Sequence, residues 1–197
     1  MFVSIKHKIL FVAIPKTATR SIYDSMEKHF GGVPVDDHQK WIPKKYKDFY
    51  TFTVIRNPYY RAISIWWSTC KRNNDIRGYI ANYLQEDNTF VNFMRYIPQI
   101  SHDNPGRVVT QPQSNWLRGK DFDKMIPFEE VDEAWLTMPF NPTHIPLPKL
   151  NPTITVTKGN PNVRSQYDNY LCPESISLVN NYFHEDFELT GYLKFKP

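Results

Sequence analysis

Five residues close together carry the best donors for an anion: Lys16, Thr17, Thr19, Arg20 and Ser21. Two cations and three hydroxyls in one short run can hold a phosphate or a similar group. Gly is absent between Met1 and Phe30. The glycine-rich loop G-x-x-x-x-G-K-[ST], which needs close backbone approach to ATP or GTP, is therefore not present. A second set follows at Arg56, Arg61 and Ser64. Arg61 and Ser64 are three residues apart and share a face of any helix that carries them. His38 stands between the two sets in a polar stretch with Asp36 and Asp37, where it is a candidate base.

The elements that position these residues can be read from the flanking pattern. Ile9, Leu10, Phe11, Val12 and Ile14 are large and apolar, which predicts a strand buried on both faces. Pro15 stops it. Ile22, Tyr23 and Met26 then take up a helical spacing that runs to Phe30, and Gly31-Gly32 ends it. A strand, a polar turn and a helix start gather free backbone N–H groups and the positive end of a helix at one point. Such a point suits phosphate. Tyr50–Ile55 predicts a second strand, with strong β-formers throughout. Arg56 sits at its tip, Asn57 is a good N-cap, and Pro58 is a good first helical residue. In a parallel sheet both strand ends open on one edge, where ligands bind. Lys16–Ser21 and Arg56/Ser64 are then two separated anion sites, as a nucleotide with phosphates at both ends of its ribose needs.

The rest of the chain reads as an α/β domain with no repeat and no linker. Val33–Lys47 is polar and irregular, with a basic cluster of Lys40, Lys44, Lys45 and Lys47. Helical spacing covers Ile76–Leu84, Phe90–Ile97 and Pro173–His184. Phe122–Phe128 predicts a third strand and Glu129–Met138 a short acidic helix. The prolines from Pro139 to Pro152 exclude helix and central strand. They predict an extended connection serving as a lid or a substrate wall. Thr153–Thr157 alternates, and Lys158–Pro161 is a turn. Gln111–Leu117 carries no assignable pattern.

Composition narrows the partners. The net charge of +4 over 197 residues is compatible with an anionic ligand. It is too small to argue for nucleic acid, and no arginine-rich tract or zinc spacing supports that partner. Cys70 and Cys172 fit neither a metal pattern nor a disulfide framework. No signal peptide precedes Ile9, and no apolar run reaches membrane length. The expected location is the cytoplasm.

The motifs carry a family resemblance. IPKTATRSI resembles the 5′-phosphosulfate loop of sulfotransferases, P-K-T-x-[ST]-x-S. FTVIRNPYYRAIS is similar to their 3′-phosphate motif, R-[ND]-P-x-x-R-x-x-S, at every fixed position. PQSNWL, the FEEV segment and the ending YLCPESISLVNNYFHEDFELTGY resemble the carbohydrate, Golgi-type branch. The resemblance runs over nearly the whole chain.

It implies a single sulfotransferase domain over 1–197. The implied fold has three layers, a central, mostly parallel sheet flanked by helices, related to P-loop nucleoside triphosphate hydrolases. The implied cofactor is 3′-phosphoadenosine 5′-phosphosulfate, and the implied acceptor is a hydroxyl, in this branch that of a saccharide. Carried over, Lys16 contacts the bridging oxygen and the 5′-phosphosulfate. The amides of Thr17, Ala18, Thr19 and Arg20, with the Thr19 and Ser21 hydroxyls, hold the 5′-phosphate. Arg56 and Ser64 hold the 3′-phosphate. His38 falls where many relatives place the general base, with Asp36, Asp37, His102, His144 and Glu129 as rivals. Arg20 departs from the family in replacing a small loop residue. The membrane anchor of Golgi members has no counterpart in these residues. Trp41, Trp66, Trp67 and Trp116 are candidates for stacking on a sugar, with core packing as the alternative. Sulfuryl transfer needs positioning and charge stabilisation in line with the leaving group, and no metal ligands are expected. The competing readings are a P-loop-type kinase and a non-catalytic nucleotide-binding domain.

Overall fold

Strand β2 (Ile9–Val12) is buried at every residue and lies in the middle of a five-stranded sheet. The computed structural model describes residues 1–36, 38–71, 78–85, 87–150 and 166–197. Asp37, residues 76–77, the Thr153–Thr157 alternation and the Lys158–Pro161 turn lie outside them. Strand β4 (Tyr50–Ile55) pairs parallel with β2, and β5 (Lys124–Pro127) pairs parallel with β4. On the other side β1 (Phe2–Ser4) pairs antiparallel with β2, and β3 (Val33–Pro34) pairs antiparallel with β1. The order is β3-β1-β2-β4-β5.

The sheet is thus mixed, where a mostly parallel one was expected. Its three expected strands are the parallel ones. The two unexpected strands form the antiparallel edge, and both are short. The turn between β1 and β2 is closed by Lys8 at φ 52, a left-handed conformation usually supplied by Gly or Asn. No turn residue in the sequence therefore announces the hairpin.

The chain divides into two compact units: Met1–Arg56 with Asn115–Thr155, and Asn57–Ser114 with Val156–Pro197. The first holds the whole sheet. Its register sets Phe11 beside Phe52 and Val54 beside Ile126, so these side chains share one face. Helix α1 (Thr19–Phe30) lays Ile22, Met26 and Phe30, four residues apart, onto that face. Gly31 at φ 61 ends the helix in a left-handed cap, and Gly32 donates back to the Met26 carbonyl at 2.8 Å. A Cβ on Gly32 would stand 2.6 Å from the Phe2 ring, so only glycine fits there. The segment from Pro139 to Leu150 is neither helix nor strand, as expected. It is not a lid, because Phe140, Ile145 and Leu147 pack into the same core. Asn141 braces it by donating to the Trp135 and Ile145 carbonyls.

The second unit is helical among the described residues. Helix α2 (Pro58–Trp66) starts at the expected cap, where the Asn57 side chain accepts the Tyr59 N–H at 3.0 Å. It continues into one wide turn over Trp67–Lys71. Helix α3 spans Gly78–Leu84. Helix α4 (Phe90–Asp103) runs straight through Pro98, where the sequence predicted its end. Burial of Ile97 and Ile100 offsets the missing proline donor. The unassigned Gln111–Leu117 segment ends in one turn, α5 (Ser114–Leu117). Helix α6 (Val131–Leu136) follows β5 in the first unit, after a 3-10 turn at Phe128–Glu130. Helices α7 (Pro173–Tyr182) and α8 (His184–Thr190) close the chain in the second.

Candidate active site

The turn between β2 and α1 has a backbone that glycine would normally supply. Lys16 takes φ 73 and Ala18 φ 61, and each left-handed non-glycine residue costs ~1–3 kcal/mol. Three hydrogen bonds hold this shape. Thr17 and Thr19 both donate their hydroxyls to the Ile14 carbonyl, at 2.8 and 2.9 Å. Arg56 donates from Nη1 to the Lys16 carbonyl at 3.1 Å. The threonines of the loop therefore act first as scaffold, and Thr17 is fully buried. Helix α1 has no side-chain cap and no acidic residue in its first turn, so its first N–H groups and its dipole favour an anion. Lys16 is partly exposed, Arg20 exposed, and the Ser21 hydroxyl accepts the Leu150 N–H at 3.4 Å.

Arg56 is at the tip of β4, as expected, and is nearly buried. Its guanidinium lies 4.2 Å from the centroid of the Phe128 ring, which fixes the side chain by packing as well as by hydrogen bonding. Phe128 belongs to the FEEV segment, whose role the sequence did not reveal.

His38 reaches the same end of β2. Its Nδ1 lies 2.9 Å from the Ala13 carbonyl. A carbonyl only accepts, so Nδ1 carries the proton and the neutral ring has its basic lone pair on Nε2. The residue takes φ 52, and its carbonyl accepts the Trp116 indole N–H at 2.9 Å. Lys16 to Ser21, Arg56 and His38 are therefore brought together within the first unit. Among the rivals, Asp36 is exposed and Asp37 lies outside the described residues. The His102 Nδ1 pairs with Asp103 on α4, and the His144 Nδ1 with the Leu136 carbonyl. Glu129 follows Phe128 in the 3-10 turn after β5.

Ser64 is buried on α2, in the second unit. Its helix neighbour Arg61 is fully buried and serves a purpose the motif did not disclose. Arg61 Nη1 lies 3.9 Å from Asp186 Oδ2, and Nη2 donates to the Gln111 carbonyl at 2.9 Å. Asp186 accepts the backbone N–H groups of Gln113 and Ser114 at 2.9 and 2.7 Å. Burial pushes the Asp186 carboxyl up from its ordinary value, against the pull of Arg61 and these two donors. Three motifs far apart in the chain thus meet in one buried polar cluster. Of the four tryptophans weighed for sugar stacking, Trp66 and Trp116 are buried in packing and Trp67 is half-buried, whereas Trp41 is 64% exposed.

The turn leads into a helix start with no side-chain cap, and an arginine from the next strand pins it. Residues 1–193 match the sulfotransferase family, and the chain belongs to it. The carbohydrate, Golgi-type branch is consistent with that family. No curated protein and no solved structure matches the chain. No helix among the described residues is long and apolar enough to cross a membrane.

Proposed function

We propose that the chain moves a sulfuryl group from 3′-phosphoadenosine 5′-phosphosulfate to the hydroxyl of a saccharide, as one sulfotransferase domain with a P-loop-like nucleotide site. The observation that carries this reading is the turn after β2, whose left-handed backbone is held by Arg56 and whose open side is helix N-terminus. A nucleotide with a phosphate at each end of its ribose fits that arrangement, because loop amides and a strand-tip arginine are both present. The donor, when bound, supplies an activated sulfuryl group and a phosphate that leaves.

The residues of the chain do the rest. The amides of Thr17 to Arg20, with the Ser21 hydroxyl, hold the 5′-phosphate. The expected Thr19 hydroxyl contact is corrected, because that hydroxyl donates to the Ile14 carbonyl. Lys16 stabilises the charge that develops on the departing oxygen. Arg56 takes the 3′-phosphate, and Ser64 keeps the role that the motif spacing gives it. His38 Nε2 removes the acceptor proton, with Nδ1 anchored on Ala13, a step worth ~10²–10⁴-fold. The test is a screen of saccharide acceptors with donor carrying radiolabelled sulfate, read by label transfer and product mass. Label on a saccharide supports the reading; label on none, with ATP-dependent phosphorylation instead, overturns it.

A further inference from the structure

His38 stands in a left-handed backbone conformation, at φ 52, where residues 38–43 form neither helix nor strand. A histidine avoids that conformation unless its surroundings impose it, and such outliers collect at functional sites. Two hydrogen bonds impose it here. The ring is tied just past the end of β2, with Nδ1 2.9 Å from the Ala13 carbonyl. The main chain is tied by Trp116, whose indole N–H donates to the His38 carbonyl at 2.9 Å. An indole N–H only donates, and the Trp116 side chain is fully buried. Releasing the carbonyl would leave that donor with no water to replace it. Lys40, two residues after His38, sets its ammonium 5.6 Å from the centroid of the same ring, within the range of a cation–π contact. Residues 38 and 40 thus both meet one indole, which shapes the turn between them.

We infer that Trp116 is a positioning residue for His38. The indole N–H holds the carbonyl, and the held carbonyl fixes the left-handed turn. The turn keeps the Nδ1 proton on Ala13, which leaves Nε2 as the basic nitrogen. Without the N–H, the backbone relaxes to negative φ. The imidazole then swings off Ala13 and loses both its place and its fixed tautomer. A misplacement of about 1 Å at a reacting group costs ~10²-fold in rate. Trp116 itself touches neither donor nor acceptor. The inference rests on the sulfotransferase reading for the use of His38 as a base. It also gives the PQSNWL segment a task, since its tryptophan orients the base instead of stacking on a sugar.

The test replaces Trp116 with benzothienylalanine, which keeps the bicyclic ring and has sulfur in place of the N–H. Trp116→Phe, which also lacks the N–H, is expected to follow in the same direction. The first readout is the nitrogen NMR of the His38 ring at alkaline pH, assigned by its absence in His38→Ala. Wild type is expected to carry the proton on Nδ1, and the sulfur variant to shift toward the Nε2–H form that a free imidazole prefers. Turnover with an acceptor from the saccharide screen is expected to fall ~10-fold or more. Calorimetric affinity for 3′-phosphoadenosine 5′-phosphate is expected to stay within about twofold. In the His38→Ala background the same replacement causes no further loss of turnover, because its effect passes through His38. An unchanged tautomer or unchanged turnover in the sulfur variant overturns the inference, as does an equal further loss in the His38→Ala background. Loss of nucleotide affinity in the sulfur variant also overturns it, since the contact then serves the fold. If no saccharide accepts label, the sulfotransferase reading falls, while the tautomer measurement still decides whether Trp116 places the His38 ring.

Discussion

Arg56 donates from Nη1 to the backbone carbonyl of Lys16 at 3.1 Å. One residue thus ties the tip of β4 to the turn after β2, and so ties together the two motifs proposed to bind the nucleotide. The same guanidinium rests 4.2 Å from the Phe128 ring centroid. A planar, permanently charged fork can hold a carbonyl, an aromatic face and a phosphate together, which a lysine ammonium cannot.

Lys16→Ala is expected to lower turnover by ~10²–10³-fold with little loss of nucleotide affinity, since the loop amides remain. Arg56→Ala is expected to weaken nucleotide binding first. It also lowers turnover, by less than Lys16→Ala, because the loop loses its tie. Turnover with labelled donor and nucleotide affinity by calorimetry check both. Loss of affinity alone in both variants contradicts the assigned roles.

His38→Ala is expected to bind nucleotide normally and to lose ~10²-fold or more in turnover. A base acts only when unprotonated, so the wild-type rate is expected to fall on the acid side of its pH profile. That acid limb disappears in the variant. A pH–rate profile of both proteins is the check. An intact limb with near-normal turnover moves the role to another group, with Glu129→Gln the next variant to measure.

Removing the Asp186 carboxylate leaves Arg61 as a buried, uncompensated charge and two backbone N–H groups without their acceptor. Asp186→Ala is expected to lose ~3–5 kcal/mol of stability. Asp186→Asn loses less, because its amide oxygen still accepts one of the two donors. Denaturant unfolding measures both. A loss below about 1 kcal/mol in Asp186→Ala shows that the cluster is not a stabilising centre.

Asp103 has its carboxyl held down at about 2, first by the His102 hydrogen bond, then by Tyr83 and Gln99. A carboxyl with a lowered folded-state pKa stabilises the fold above its unfolded value of 3.8. That contribution is lost as pH falls through about 2. Asp103→Asn is therefore expected to flatten the pH dependence of the melting temperature across that window and to lower the melting temperature slightly above it, where the contribution is fully present. The side chain is exposed, so the effect is small. An unchanged acid profile contradicts it.

The parts of the fold that lay open in the sequence are those with strong local signals. β4 was legible residue for residue because Tyr50 to Ile55 are β-formers between breakers, and Asn57-Pro58 marked the helix start. The turn after β2 was legible from Lys-Thr before a helical spacing, but its inner workings were not. Nothing local shows that Thr17 and Thr19 turn their hydroxyls back onto Ile14, or that Lys16 and Ala18 adopt left-handed backbone without glycine. The β1–β2 hairpin was hidden because Lys8 fills the turn position. The continuation of α4 past Pro98 was hidden because tertiary burial outweighs a local break. Arg61 was visible as a motif residue, yet its partner Asp186 could not be named, since the pairing depends on chain folding over a long separation. The placement of His38 was suggested by order along the chain. Its anchor, the Ala13 carbonyl, has no sequence signal at all.

The central claim is that the chain recognises a nucleotide with phosphates at both ends of its ribose. Calorimetric titration with 3′-phosphoadenosine 5′-phosphate and with AMP tests it most directly, because the two differ only in the 3′-phosphate. A charge-assisted contact to that group is worth ~1.5–3 kcal/mol. The account therefore predicts at least ~10-fold tighter binding of 3′-phosphoadenosine 5′-phosphate. Equal affinity for the two nucleotides would contradict it.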